Sequence, residues 1–110
     1  MNKKLSKMRQ LHLVHVDIKP DNILYSPGWR KIVLIDFGLA TFIEQRVDES
    51  TETHFMGTPR FAGEEMKYLH DYKRSGLVNL YKNDYEMLIK TAEELFYLQP
   101  SNFLKSTPRT

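Results

Sequence analysis

Leu5, Met8 and Leu11, followed by His12, recur at three- and four-residue intervals, and this spacing predicts a short amphipathic helix over residues 3–13. From Val14 to Asn22 polar residues break the pattern, and Pro20 turns the stretch into a loop. Ile23-Leu24-Tyr25 reads as a short strand, Ser26-Pro27-Gly28 as a turn, and the β-branched run from Lys31 to Ile35 as a second strand. A hairpin ending at Asp36 is therefore expected. Residues 41–56 are polar and charged without a period and read as surface loop, closed by Gly57-Thr58-Pro59. One or two helical turns are expected from Glu64 to His70, and mostly loop from Asp71 to Asn83. Tyr85, Leu88, Ile89, Ala92, Leu95 and Phe96 then mark a helix over about 84–98, which Pro100 is predicted to end. The tail from Ser101 is expected to fray. No internal repeat or low-complexity tract interrupts this order.

A chain of 110 residues, 41% hydrophobic and 27% charged, is sized for one globular domain with a small core. Its net charge of +2 is too small and too mixed for a nucleic-acid surface. The basic start (Lys3, Lys4, Lys7, Arg9) reads as a solvated helix face. The absence of cysteine excludes disulfides and thiolate metal sites and suits a reducing compartment. No apolar run approaches the ~18 residues of a membrane helix. The expectation is a soluble intracellular protein, cytoplasmic or nuclear, with neither membrane nor nucleic acid as partner.

Chemistry-bearing residues concentrate in two runs. One is His15-Val16-Asp17-Ile18-Lys19-Pro20-Asp21-Asn22 and the other Asp36-Phe37-Gly38. Singly, Asp and Asn are ordinary loop residues. Together, in this order, they place a base (Asp17), a cation on the same side of an extended loop (Lys19), and a carbonyl and a carboxylate suited to Mg²⁺ (Asn22, Asp36). Gly38 would give the backbone the freedom to turn that carboxylate inward. His12, His54 and His70 have no zinc-site spacing.

The two runs are similar to the H-R-D-x-K-x-x-N catalytic loop and the D-F-G metal loop of eukaryotic-type protein kinases. The match continues through Ile35-Asp36-Phe37-Gly38-Leu39-Ala40, and Gly57-Thr58-Pro59-Arg60-Phe61-Ala62 resembles the segment that closes the activation loop and receives substrate. The resemblance is sharp over residues 11–65. It implies a serine/threonine kinase that moves the γ-phosphoryl of ATP, with Mg²⁺, to a hydroxyl of a protein substrate. Asp17 would be the base, Lys19 would reach the moving phosphoryl, and Asn22 and Asp36 would hold the metal. The Thr58 hydroxyl would bond to Asp17 and Lys19 and position the substrate. His15, Phe37, Gly38, Glu65 and Asp84 would be structural, His15 packing against the metal loop.

Four departures stand out. Val16 replaces the arginine that grips a phosphorylated activation loop, so Ser50, Thr51 and Thr53 lack the usual charge partner. The usual A-P-E reads Gly63-Glu64-Glu65. The later helix reads Asp84-Tyr85-Glu86-Met87-Leu88 rather than D-x-W-S-x-G, a likeness to the casein-kinase-like and vaccinia-related branch. Finally, the five glycines, at 28, 38, 57, 63 and 76, leave no room for G-x-G-x-x-G, and no strand lysine precedes the first helix.

The expected fold is accordingly α+β, a mostly helical kinase C-lobe segment with a short β-hairpin and no N-lobe, spanning residues 1–110 and well under half of a kinase domain. Within it the catalytic loop is expected at 15–22, the metal loop at 36–38, the activation segment at 36–65 and the central helix at about 84–98. Ile32, Leu34, Phe42, Phe61 and Phe96 are expected to lack cover, and the isolated chain to fold poorly and transfer no phosphoryl group unaided. The alternative is a truncated or degenerate kinase that acts only as a protein-binding module.

Overall fold

The computed structural model describes residues 2–26, 28, 31–43 and 49–106, with side chains described except at 2–4, 25 and 96–106. In chain order it contains α1 (Asn2–Gln10), β1 (Leu13–Val14), a 3₁₀ turn (Pro20–Asn22), β2 (Ile23–Ser26), β3 (Lys31–Leu34), β4 (Thr41–Phe42) and β5 (Thr51–Thr53). A second 3₁₀ turn (Pro59–Phe61) leads to α2 (Glu64–Tyr72), β6 (Gly76–Val78) and α3 (Leu80–Ser106). Among the described residues the sheets are two-stranded and antiparallel: β1 with β4, β2 with β3, and β5 with β6. The molecule is small and α+β.

The predicted hairpin forms, in the register Ile23↔Leu34, Leu24↔Val33, Tyr25↔Ile32 and Ser26↔Lys31. Its return edge is tied to the catalytic-type loop where the Ile35 N–H donates to Asn22 O at 2.9 Å. α1 stops at Gln10 rather than 13 because His12 adopts φ 60°, swinging the chain into β1 and leaving Leu11 exposed. The polar stretch 41–56 is not all loop, since Thr51-Glu52-Thr53 pairs with Gly76-Leu77-Val78 from the stretch also expected to be loop.

α3 departs furthest from expectation. It starts at Leu80, where the Asn79 side-chain oxygen accepts the Lys82 N–H at 3.0 Å and caps the first turn. It also continues past Pro100 to Ser106. An interior proline removes one hydrogen bond and crowds the preceding turn, at ~3 kcal/mol. That cost weakens a helix without dividing it when earlier turns are anchored, as buried Leu80, Tyr81, Asp84, Met87, Leu88 and Thr91 anchor this one.

Two apolar clusters make the core. One gathers Val14, Val16, Ile43, Ala62, Met66, Leu69, Val78, Leu80 and Tyr81, and the other Met8, Ile18, Leu34 and Met87. Leu34 and Phe61, expected to lack cover, are buried; Ile32 and Phe42 are exposed as expected, and the Phe96 side chain lies outside the described residues. Gly57 joins the first cluster's edge at φ +100°, where an added Cβ would lie 2.7 Å from the Val16 carbonyl oxygen. Gly57→Ala combines left-handed strain with a backbone clash, so a loss of ~2 kcal/mol or more is expected in urea denaturation. An unchanged midpoint would refute that reading of Gly57.

Candidate active site

The loop from Val14 to Lys19 is pinned by its aliphatic side chains. Val14, Val16 and Ile18 are completely buried, Val16 in the first apolar cluster and Ile18 in the second, while Asp17 and Lys19 between and after them stay partly exposed. Asp17 and Lys19 flank the fully buried Ile18, and the acid and the amine turn outward together. The Lys19 Nζ lies 3.9 Å from Asp17 Oδ2.

This loop is held from behind by a buried carboxylate. Asp84 on α3 accepts the His15 N–H at 2.7 Å and the Val16 N–H at 2.9 Å. Burial pushes its carboxyl up to about 6, against the opposing pull of those two N–H groups. The anchor matters because Val16 sits at φ 74°, a left-handed conformation that a β-branched residue rarely adopts. His15 is fully buried beside it. Its Nδ1 accepts the Asp17 N–H at 3.1 Å, which assigns the ring proton to Nε2, 3.0 Å from Ile35 O. The ring also meets Phe37 edge-on at 4.7 Å. The imidazole thus joins the catalytic-type loop to the metal-type loop.

On the open side the Thr58 hydroxyl donates to Asp17 Oδ1 at 3.0 Å and accepts from Lys19 Nζ at 3.0 Å. The Asn22 amide nitrogen donates to Asp17 O at 2.8 Å and approaches Asp17 Oδ2 at 3.4 Å. With its nitrogen so engaged, Asn22 keeps its carbonyl oxygen for another partner. The Ile35 N–H donates to the Asn22 backbone oxygen at 2.9 Å, and Asp36 is the next residue along the chain. Its carboxylate is exposed and takes only the Gly38 N–H, at 3.2 Å, among the described residues. The Asn22 amide and the Asp36 carboxylate each carry a hard oxygen of the type Mg²⁺ takes.

Gly38 does not play the part expected of it. The left-handed residue is Asp36 itself, at φ 59°; Gly38 supplies space instead, since a Cβ there would lie 3.1 Å from Asp36 Oδ1. Glu65 accepts the Asn79 N–H at 3.0 Å and so ties α2 to the start of α3. Thr51 and Thr53 lie on β5, and Ser50 immediately precedes it. A cleft of about 570 Å³ between α1 and the start of α3 touches Asp84 but none of Asp17, Asn22 or Asp36. Contacts from Asn83, Glu86, Lys90 and Glu94 to residues 60–64 had no signal in the sequence beyond their helical spacing.

The geometry thus joins an outward acid and lysine through one threonine hydroxyl. The sequence profile described as the protein kinase domain matches residues 2–81, and the chain belongs to that family. It is 48% identical over 50 residues to a probable myosin light chain kinase of Dictyostelium discoideum, covering 43% of this chain and 10% of that protein. It is 39% identical over 72 residues to a cAMP-dependent protein kinase catalytic subunit of Drosophila melanogaster, covering 64% of this chain and 18% of that protein. A human cell division cycle 7-related protein kinase shares 47% over 38 residues, 34% of this chain and 7% of that protein. The chain therefore spans less than a fifth of the length of these relatives.

Proposed function

We propose that these residues form the base- and metal-bearing half of a protein serine/threonine kinase site, one that transfers the γ-phosphoryl of ATP to a hydroxyl on a protein. The observation that carries this reading is the Thr58 hydroxyl bonded at once to Asp17 and Lys19. It ties the substrate-receiving segment to the proposed base, so a docked hydroxyl would meet a carboxylate already fixed in direction. Asp17 orients that hydroxyl and accepts its proton, and Lys19 offsets charge on the moving phosphoryl. Asn22 and Asp36 would hold Mg²⁺, which when bound neutralises phosphate charge and aligns the nucleotide. His15 keeps Asp17 and Phe37 in fixed relation. Val16 removes the usual phosphate grip, and its burial in the core fills the place with apolar contact instead.

A binding-only role is the other outcome to separate by experiment, and the kinase relatives do not favour it. Transfer of labelled phosphate from Mg·ATP to a serine-rich protein, by the chain fused behind the glycine-rich lobe of a related kinase, separates the two. Transfer supports the first; its absence in a folded, ATP-binding fusion supports the second. For the chain itself, a weak Mg²⁺ affinity is expected that Asp36→Ala reduces about tenfold or more. An identical titration in the variant would remove Asp36 from the metal site.

A further inference from the structure

The A-P-E departure at Gly63-Glu64 coincides with an unusual set of contacts. Asn83, Glu86, Lys90 and Glu94 follow one another at three- and four-residue steps and so share one face of α3. Each meets the segment at 60–64. The Asn83 Oδ1 accepts the Gly63 N–H at 2.9 Å, and Glu86 Oε1 accepts the Glu64 N–H at 3.1 Å. Lys90 Nζ donates to Ala62 O at 2.6 Å, and Glu94 pairs with the Arg60 guanidinium. The 3₁₀ turn passes this hold on to Thr58, whose carbonyl accepts the Phe61 and Ala62 N–H groups at 3.0 and 3.1 Å.

The two departures are what these contacts require. A Cβ at 63 would overlap Glu86 Oε1 and lie 2.8 Å from Asn83 Oδ1, so alanine enters only if those two side chains shift out of their bonds. A proline at 64 has no N–H to give Glu86. We infer that Asn83 and Glu86, supported by Lys90 and Glu94, are positioning residues that clasp the substrate-receiving segment to α3, and that a glycine at 63 and a residue other than proline at 64 are what this clasp demands. The inference rests on reading residues 57–63 as that segment; the clasp itself does not depend on catalysis.

Amide exchange of the 110-residue chain, followed by NMR, tests it. In Glu86→Ala the Glu64 amide is expected to exchange about tenfold faster, the loss of one hydrogen bond to a charged acceptor. In Glu86→Gln, whose amide oxygen can accept the same N–H, protection returns close to wild type. Gly63→Ala is expected to lower the urea midpoint, and pairing it with Glu86→Ala to recover part of the loss. Should Glu86→Ala unfold, Glu86→Asn, one methylene too short, takes its place in the comparison. Unchanged Glu64 exchange in the truncated variant, equal loss in alanine and glutamine variants, or strict additivity with Gly63→Ala would each overturn the clasp. Exchange is read without ATP or substrate, so missing transfer with intact protection counts against the kinase reading alone.

Discussion

Asp84→Ala is expected to destabilise the chain by ~2–4 kcal/mol, because it leaves the buried His15 and Val16 N–H groups without their acceptor. Against a total stability that for a domain of this size is ~5–15 kcal/mol, such a loss is severe. Water entering the adjoining cleft, which Arg9 and Lys82 also line, offsets part of it. The damage should spread to Asp17, since Val16 holds its left-handed backbone only while fixed at both ends. Asp84→Asn keeps one acceptor and turns an NH₂ toward the other N–H, so an intermediate loss is expected.

A pH dependence distinguishes this carboxylate from a neutral acceptor. Its folded value, about 6, lies above the ordinary 3.8, so the folded state binds the proton more tightly. The stability this group contributes is fully present below pH 4 and is lost as pH rises through 6. Urea midpoints of wild type should therefore gain on going from pH 7 to 5 a component that Asp84→Asn lacks. Identical pH slopes in the two proteins would show that Asp84 does not titrate in that range.

How far the chain could be read in advance depended on how local each signal was. The hairpin was legible because strand residues and turn lie within a dozen positions and face one another in sequence. The outward pairing of Asp17 with Lys19 was legible because they stand two apart in sequence, flanking Ile18. By contrast, β5 and β6 are three residues each, with partners 23 to 27 positions away, and nothing in Thr51-Glu52-Thr53 names Gly76-Leu77-Val78 as its complement. The early start of α3 did carry a signal, the Asn79 cap, outweighed by the polar look of residues 79–83. Asp84 was legible as structural only through the family likeness. Its partners are backbone amides 69 and 68 positions earlier, which no side-chain pattern records. The Gly63-Glu64 departure had no explanation in the sequence, because the acceptors that meet it lie 20 and 22 positions away on α3.

Asp17→Asn, placed in the chain fused to a glycine-rich lobe, is expected to reduce phosphoryl transfer about 10²–10⁴-fold, the range for loss of one positioned base. The substitution is nearly isosteric, and asparagine's oxygen can still accept the Thr58 hydroxyl. The Asn22 bond to the residue 17 carbonyl and the residue 17 N–H to His15 are backbone contacts and survive. Stability should accordingly change by no more than ~1 kcal/mol. What is lost is the ability to take the hydroxyl proton, and with it the ion attraction to Lys19. Thr58→Ala gives the complementary pattern: Asp17 keeps its charge but loses the bond that directs it, so a smaller fall is expected, with serine restoring most of it. A fall from Asp17→Asn no larger than that from Thr58→Ala would mean that Asp17 serves as an anchor for the segment and not as the base. The carboxylate uses one oxygen for Thr58, and the second lies 3.9 Å from Lys19 Nζ and 3.4 Å from the Asn22 amide nitrogen. That second oxygen is the one a substrate hydroxyl would find.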